Sequence, residues 1–390
     1  MRGFYFNSKP HTVNILVAPD KFRGSLEATE VCLAIKVGIL LAFPHANIIT
    51  VPLADGGEGT SEILTRQAGG EHITLTVSDP LGRKISAGYG FSSETQTAYI
   101  EMAAASGLNL LSPQERNPSL TSSYGTGELI RDALDRHAKK IVLGIGGSAT
   151  TDGGIGMAAA LGYRFYDDHH ELLAPNGAAL NSIRHIDISQ VDERINFVSV
   201  TVACDVTNPL YGRRGAAYIY GPQKGADGPM LDSLDKGLKN LSDVATRTFG
   251  RNVSHEPGAG AAGGMGAGCM WFLHATLKDG VGIVMEQSNM TKLIAGSDLV
   301  ITGEGKVDEQ TLNGKVVKGL ADMCGKFDVP LAVVCGTLQI TPEQSRAAGI
   351  TYLTSVLNRP MGLNVAEKEA FGLIKDATFN LVRLFFARRN

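Results

Sequence analysis

The chain has 390 residues, a formal net charge of −3 at pH 7, and 43% hydrophobic residues against 19% charged ones. Such a length and composition predict an ordinary globular protein of about two domains, each long enough to bury its own core. The small negative charge excludes a broad basic surface for nucleic acid or anionic membrane, and no apolar run approaches the roughly 18 residues that span a bilayer. Because the first twelve residues also lack the apolar region of a secretion signal, we expect a cytoplasmic protein without a nucleic-acid or membrane partner.

Cysteines and histidines give no pattern of a metal centre or of a nucleophilic triad. The five cysteines stand singly among small or apolar neighbours, without CxxC spacing, and the nine histidines include no HExxH motif. We therefore predict reduced cysteines that lie in the core. Neither a zinc site nor a Ser–His–Asp triad is expected.

The N-terminal part of the chain alternates strands and helices. The stretch VNILVAPD predicts a buried strand that ends at Asp20, and the helix that follows is expected to have Ser25 as its N-cap. The stretch NIITVPLADGGEGT repeats a strand and a glycine-rich acidic loop before a second helix. This order predicts a parallel sheet, and such sheets bind ligands at the carboxyl ends of their strands, where Asp20, Asp55 and Glu58 would lie.

A second domain is predicted to begin after the turn at Asp79 and Pro80. The stretches ISAGYGF and QTAYIEM alternate in the way of antiparallel strands. Near the C-terminus, DLVITGEG and PLAVVCG return to short buried strands separated by a helix. We therefore predict a parallel α/β domain of residues 1–80 and 286–390, interrupted by a mixed α/β domain of residues 81–285.

The most informative stretch is KKIVLGIGGSATTDGG, residues 139–154, in which a short strand runs into a glycine loop before a helix. Gly146 and Gly147 let the backbone turn with positive φ and approach a ligand closely, and free N–H groups at the helix start face negative charge. The loop then adds three hydroxyls and one acid, at Ser148, Thr150, Thr151 and Asp152. Because that acid would repel a bare phosphate unless Mg²⁺ lay between them, the pattern favours a metal-bound nucleotide.

A different nucleotide chemistry fits part of the same loop. Residues 144–149 satisfy G-x-G-x-x-G/A after a strand, and Asp167 and Asp168 follow about twenty residues later, as in dinucleotide-dependent oxidoreductases. The hydroxyls and Asp152 crowd the position of a pyrophosphate, which weakens this alternative. A Walker-type kinase is excluded, since the sequence contains no G-x-x-x-x-G-K-[ST].

Ten motifs spread along nearly the whole chain carry a more specific signal. They are APDKFRGSLEA, PLADGGEGT, EMAAASGL, GTGELI, GIGGSATTDGG, ACDVTNPL, GPQKGAD, PGAGAAGGMGAG, VITGEGKVDEQ and GKV. In this order they resemble the bacterial glycerate kinases of type I. The resemblance implies ATP-dependent phosphorylation of D-glycerate with Mg²⁺, by a flavodoxin-like domain and a second α/β domain around a cleft between them. It also implies a 2-phospho product and a place in glucarate, galactarate or glyoxylate breakdown, while relatives with a 3-phospho product leave the position of transfer open.

Phosphoryl transfer needs cations and a metal ion to neutralise the triphosphate, and carboxylates to hold that metal ion. On the matching motifs we assign these roles as hypotheses. Nucleotide binding is assigned to the glycine loop and to a lysine in the GPQKGAD motif, namely Gly146, Gly147, Ser148, Thr150 and Lys224. The metal ligands are assigned to the acids that follow two strands, Asp205 and Glu304.

The attacking hydroxyl needs a base, and the substrate carboxylate needs a cation. Asp308 is the predicted base, with Asp205 and Lys315 as further catalytic residues. Substrate binding is assigned to the loops after the first two strands, at Asp20, Lys21, Arg23 and Asp55.

The chain departs from the family pattern in two places. Lys21, Phe22 and Arg23 stand where the family has serine, an aromatic residue and lysine, and Thr151 stands where the family often has asparagine. The cation survives at Arg23, so neither change argues against activity. A regulator on a kinase scaffold, which would bind glycerate without ATP turnover, is a further alternative, and a homodimer is left open.

Overall fold

The computed structural model describes residues 13–54, 59–309, 311–313 and 316–386. The strands in chain order are β1 (Asn14–Val17), β2 (Asn47–Thr50), β3 (Glu71–Ser78), β4 (Lys84–Ser92), β5 (Thr97–Glu101), β6 (Lys140–Gly144), β7 (Arg164–Tyr166), β8 (His185–Asp187), β9 (Ser199–Ala203), β10 (Thr276–Lys278), β11 (Leu299–Val307), β12 (Leu331–Leu338) and β13 (Tyr352–Ser355). The helices are α1 (Ala28–Ala42), α2 (Thr60–Gln67), α3 (Ala103–Ser106), α4 (Tyr124–Asp135), α5 (Ile155–Ala160), α6 (Ala216–Tyr220), α7 (Gly228–Phe249), α8 (Ala261–Phe272), α9 (Gly280–Gln287), α10 (Met290–Ala295), α11 (Val316–Phe327), α12 (Pro342–Ala347) and α13 (Leu363–Phe385).

The chain forms two compact units, and one of them is discontinuous in sequence. The first unit combines the residues up to Asp55 with those from Val284 onward, and the second unit is Gly56–Ile283. The sequence placed the two breaks after residues 80 and 285. The first break differs because the turn at Asp79 does not link two domains but joins β3 to β4, which pair antiparallel along their whole length in one sheet.

The first unit is built on a five-stranded parallel sheet with the order β13-β12-β11-β1-β2. Counted within this unit, the order is 2-1-3-4-5, which confirms the predicted flavodoxin-like arrangement. Apolar side chains of the strands and of α1 and α13 form its core, including Ile15, Ile35, Val334 and Ile374. The sheet reverses its winding direction between β1 and β11, which therefore carry the position where such folds bind ligands.

The second unit is built on a six-stranded mixed sheet with the order β10-β9-β6-β5-β4-β3. The strands β5, β6, β9 and β10 run parallel, whereas β4 pairs antiparallel with both β3 and β5. The predicted antiparallel strands ISAGYGF and QTAYIEM are thus confirmed. In the register, Glu101 lies opposite Gly144, and Gly144 lies opposite Ala203, so β5, β6 and β9 all end at the same edge of the sheet.

The start of α1 corrects a prediction. Its N-cap is Glu27, which exchanges reciprocal hydrogen bonds with Glu30, and not Ser25. The chain before α1 forms a tight turn in which Phe22 bridges to Leu26, and Ser25 Oγ donates to the Phe22 carbonyl inside that turn. Ser25 therefore stabilises the turn that precedes α1 and does not cap the helix.

All five cysteines are free thiols, as predicted, and four of them are buried, with Cys204 partly exposed. Burial raises the pKa of Cys32, Cys324 and Cys335 to about 12, so these thiols stay protonated. Within the described part of the chain, no helix is both long and apolar enough to cross a membrane.

Candidate active site

The glycine loop that follows β6 presents its backbone to solvent. Gly146 and Gly147 are both exposed, and Gly147 has φ +70°, a conformation that L side chains rarely adopt. A Cβ placed on Gly146 would meet no atom within 4 Å. The loop therefore offers open backbone at the edge of the sheet, which is the property that a phosphate-binding loop needs.

Backbone hydrogen bonds hold this loop on one side. Leu108 N donates to the Gly147 carbonyl at 2.8 Å, and Ala149 N donates to the Ser106 carbonyl at 2.9 Å. Thr121 Oγ1 donates to the Ala149 carbonyl at 3.0 Å. The segment between α3 and α4 thus fixes the course of the loop through the backbone, independently of the loop's own side chains.

Lys224 lies beneath the loop, although the sequence predicted it as a cation that faces the nucleotide. Its side chain is 1% exposed, and Nζ donates to Ser148 Oγ at 2.8 Å and to the Thr150 carbonyl at 2.5 Å. Burial lowers the pKa of Lys224 to about 7, and the negative charge of Asp152 opposes that shift. Thr150 is also fully buried. Of the five predicted nucleotide-binding residues, Gly146 and Gly147 are thus exposed, whereas Ser148, at 7% exposed, is buried together with Thr150 and Lys224.

Asp152 is turned inward as well, so it does not face an incoming phosphate. Its carboxylate is fully buried and accepts hydrogen bonds from Ser123 N at 2.8 Å and Ser123 Oγ at 2.7 Å, and from the amides of Gly154 and Gly156 at 3.1 and 3.2 Å. Burial raises the pKa of this carboxyl, and the hydrogen bonds counteract the shift. Asp152 therefore joins the starts of α4 and α5. Its carboxylate does not face the phosphate position, so it does not require Mg²⁺ there as predicted.

The glycine-dense segment of α8 packs directly against the loop. Ala262, Gly263 and Gly264 adopt left-handed φ values of 53°, 70° and 91°, which interrupts the helix. Gly153 N donates to the Gly263 carbonyl at 3.0 Å, and a Cβ on Gly263 would lie 2.0 Å from the Thr150 carbonyl oxygen. This segment therefore supports the loop from the side opposite to solvent.

Two acids lie at the same edge of the second sheet. Asp205 follows β9 and is exposed, and its Oδ1 accepts from Gly280 N at 2.8 Å. Glu101 ends β5, and its Oε1 accepts from Gly59 N and Ser61 N, both at 3.0 Å, at the start of α2. The sequence did not single out Glu101, although an acid at the last position of a buried strand is a signal that could have identified it.

In the first unit, three of the predicted substrate-binding residues follow β1 and lie next to the middle of β11. Asp20 N donates to the Gly303 carbonyl at 2.9 Å, and Lys21 N donates to Asp20 Oδ1 at 2.7 Å. Arg23 is exposed, and Glu304 is 9% exposed. The structure thus brings Asp20, Lys21 and Arg23 beside the part of β11 that carries Glu304.

Asp308 follows β11 in a polar turn. Its Oδ2 lies 3.0 Å from Lys306 Nζ, and its Oδ1 accepts from Thr311 N at 3.2 Å. The side chain is 23% exposed, so it is accessible to a ligand. The predicted residues Asp55 and Lys315 lie outside the described residues.

Metal-binding side chains do not gather into a cage in the described ranges, where no group of three or more His, Cys, Asp or Glu could hold an ion. This arrangement is compatible with Mg²⁺, because Mg²⁺ is usually held by one or two carboxylates together with substrate phosphates and waters. Asp205 is exposed just after β9, whereas Glu304 lies within β11 and is buried, with 9% of its surface exposed.

Comparison with known proteins gives concordant results for sequence and structure. Residues 15–386 match the sequence profile of the glycerate kinase family. A glycerate kinase of Bacillus cereus (strain ATCC 10987 / NRS 248) is 44% identical over 373 residues, which cover 96% of this chain and 98% of that protein. The glycerate 2-kinase of Escherichia coli (strain K12) is 44% identical over 369 residues, covering 95% and 97%. A crystal structure provisionally named glycerate kinase 2, from Salmonella typhimurium LT2, superimposes with a TM-score of 0.89 at 40% identity, covering 97% of this chain and 99% of that one.

Proposed function

Since the chain belongs to the glycerate kinase family, we propose that it transfers a phosphoryl group from ATP to D-glycerate and forms 2-phospho-D-glycerate. Membership of this family makes the chain an enzyme that phosphorylates glycerate. The alternative of a dinucleotide-dependent oxidoreductase is thereby rejected. The 2-position is supported by the E. coli relative, which is a glycerate 2-kinase. A cytoplasmic role in the breakdown of glucarate, galactarate or glyoxylate is part of the same proposal.

The observation that carries the use of ATP is the exposed backbone of Gly146 and Gly147, beside the hydroxyl of Ser148. Exposed N–H groups in a glycine loop bind phosphate oxygens, and no side chain of the loop obstructs Gly146. ATP supplies the phosphoryl group when bound. The chain's own contribution is to hold the phosphates in one orientation, which supplies much of the catalysis in phosphoryl transfer.

Asp205 and Glu304 are the proposed ligands of Mg²⁺. Asp205 is exposed just after β9, which suits a site that shares its metal ion with phosphates, and Glu304 is a largely buried carboxylate within β11. The metal ion would neutralise charge on the phosphates. The role of the two carboxylates is to fix its position.

Asp308 is the proposed base, and residues of the first unit are proposed to bind glycerate. An accessible carboxylate can accept the proton of the attacking hydroxyl, and Lys306 Nζ lies 3.0 Å from the Asp308 carboxylate. Arg23 and Lys21 supply positive charge for the substrate carboxylate, with Asp20 in the same loop. Asp55 and Lys315 keep the roles that their motifs predict.

The proposal is tested by incubating purified protein with D-glycerate, ATP and Mg²⁺ and resolving the product by ³¹P NMR. We expect 2-phosphoglycerate. Formation of 3-phosphoglycerate would overturn the position of transfer but not the reaction. Bound glycerate without turnover would favour the regulator, and the same assay without Mg²⁺ tests the metal requirement.

A further inference from the structure

We propose that Lys224 is a positioning residue that acts on the nucleotide phosphates through Ser148 and does not touch them. It would do so by holding the Ser148 hydroxyl as a hydrogen-bond donor toward the exposed face of the glycine loop. This inference rests on the proposed function, because it concerns the same phosphate-binding loop.

Lys224 is buried beneath the loop. The Lys224 side chain is 1% exposed, while Gly146 and Gly147 on the outer face of the loop are exposed. Its Nζ points to two groups that belong to the loop itself, Ser148 Oγ and the Thr150 carbonyl. A lysine that contacted phosphate directly would have to pass the layer that these two groups form.

The hydrogen bond between Lys224 and Ser148 has a defined direction. In its protonated form Lys224 only donates, so Ser148 Oγ is then the acceptor in their 2.8 Å contact. The hydroxyl proton of Ser148 is then available for another acceptor. Among the residues that the structure describes, no group accepts a hydrogen bond from this hydroxyl. Since a hydroxyl that accepts a charge-assisted bond is a stronger donor, Lys224 both orients and polarises Ser148.

The backbone around Lys224 keeps the buried cation in place. Lys224 ends a short 3-10 helix, Pro222–Lys224, and the left-handed Gly225 that follows lies close to the backbone of Arg116. The negative charge of Asp152 favours the protonated lysine. A cation held this way beneath the loop, with the Ser148 hydroxyl and the Thr150 carbonyl as its hydrogen-bond acceptors, fits a structural support better than a ligand contact.

A double-mutant cycle tests the indirect action. Ser148→Ala should lower kcat by roughly 10² through loss of one donor to the phosphates, and Lys224→Met should give a loss of similar size. Because both changes remove the same hydroxyl interaction, the double variant should be no more than about threefold worse than Ser148→Ala. Lys239→Met, a change of the exposed Lys239 on α7, is the matched control and should leave kcat unchanged. Losses that multiply in the double variant, or a Lys224→Met enzyme with normal kcat, would overturn the proposal.

A measurement on the unaltered protein decides the question even if Lys224→Met does not fold. The rates at which acetic anhydride modifies Lys224 and Lys239 are compared by mass spectrometry, with and without ATP and Mg²⁺. We expect Lys224 to react at least tenfold more slowly than Lys239 under both conditions. Fast reaction of Lys224 that ATP suppresses would show a direct ligand contact instead. Absence of glycerate turnover would count against the proposed function alone, because the labelling rates do not depend on turnover.

Discussion

The amide of Gly153 donates a hydrogen bond to the carbonyl of Gly263 at 3.0 Å, which joins the glycine loop to the interrupted start of α8. Two backbones approach each other here without any side chain between them. A Cβ on Gly263 would lie 2.0 Å from the Thr150 carbonyl oxygen, and its φ of +70° is unfavourable for L residues. The order of the glycine loop therefore depends on a glycine more than one hundred positions away.

We expect Gly263→Ala to lower the free energy of unfolding by about 2–4 kcal/mol, because it combines a strained φ with a backbone clash. Gly372 in the middle of α13 is the matched control: a Cβ there meets nothing within 4 Å, so Gly372→Ala should be neutral or stabilise by up to about 1 kcal/mol. Urea unfolding of both variants measures the difference. Equal stability of the two variants would contradict the close packing of α8 on the loop.

Gly146→Ala should separate activity from stability. Nothing lies within 4 Å of the added methyl group, so the free energy of unfolding should change by less than about 1 kcal/mol. The methyl group would occupy the exposed side of the loop, where we propose that the phosphates bind. The KM for ATP should therefore rise by about tenfold or more. Unchanged kinetics would place the phosphates elsewhere.

The hydroxyl of Thr151 is buried and has no hydrogen-bond partner among the described residues. Thr151→Val should therefore be neutral or stabilise the protein by about 1 kcal/mol. Thr126→Val makes the same chemical change at a hydroxyl that shares a 2.7 Å hydrogen bond with Ser106, and it should cost about 1–3 kcal/mol. Urea midpoints measured in parallel report the contrast. If Thr151→Val reduces turnover instead, this hydroxyl serves the ligand.

Stability should depend on the charge of Lys224. Its pKa is about 7 in the folded protein and 10.5 in the unfolded chain, so between these values the unfolded chain holds more protons than the folded protein. The free energy of unfolding should consequently rise with pH across this window, by up to about 1.4 kcal/mol per pH unit. Folding raises the pKa of Asp152 above its ordinary value of 3.8. This carboxyl therefore makes the free energy of unfolding fall as the pH rises above about 4. Urea unfolding from pH 6.5 to 9.5 should show the rise, and Lys224→Met should abolish it. An equal slope in both proteins would assign it to other groups.

Asp308→Asn tests the proposed base. The amide oxygen can still accept from Thr311 N, so the turn should keep its structure, while the ability to accept a proton is lost. We expect kcat to fall by roughly 10² or more at unchanged thermal stability. Glu309→Gln, the same change at the exposed neighbouring acid, should keep normal kcat. Near-normal turnover of Asp308→Asn would remove Asp308 from this role.

The sequence predicted the first unit well because local patterns determine it. Alternation of short apolar strands with helices requires a parallel sheet, and strands such as Asn14–Val17 and Leu299–Val307 have few other ways to bury both faces. The boundary after residue 80 could not be predicted in the same way. The turn residues Asp79, Pro80 and Gly82 are equally suited to a hairpin and to a linker, and only the pairing of β3 with β4 distinguishes them.

Local sequence patterns could not predict which residues of the candidate site are exposed and which are buried. Glycine and hydroxyl residues predicted an anion-binding loop, but a lysine in a polar motif gives no sign that it will be buried. Lys224 becomes buried because α8 and the segment between α3 and α4 close around the loop, which is a property of the tertiary structure. The same holds for Asp152, whose carboxylate accepts hydrogen bonds from the distant Ser123 as well as from its own loop.

The interruption of the first unit by the second also sets the order in which a nascent chain can complete its structure. Ile15 pairs with Leu299, so β1 emerges from the ribosome long before the strand that must lie beside it. The second unit is continuous in sequence and can form while the C-terminal part is still being synthesised. The first unit closes last, and until then the apolar face of α1 has to be kept from aggregation.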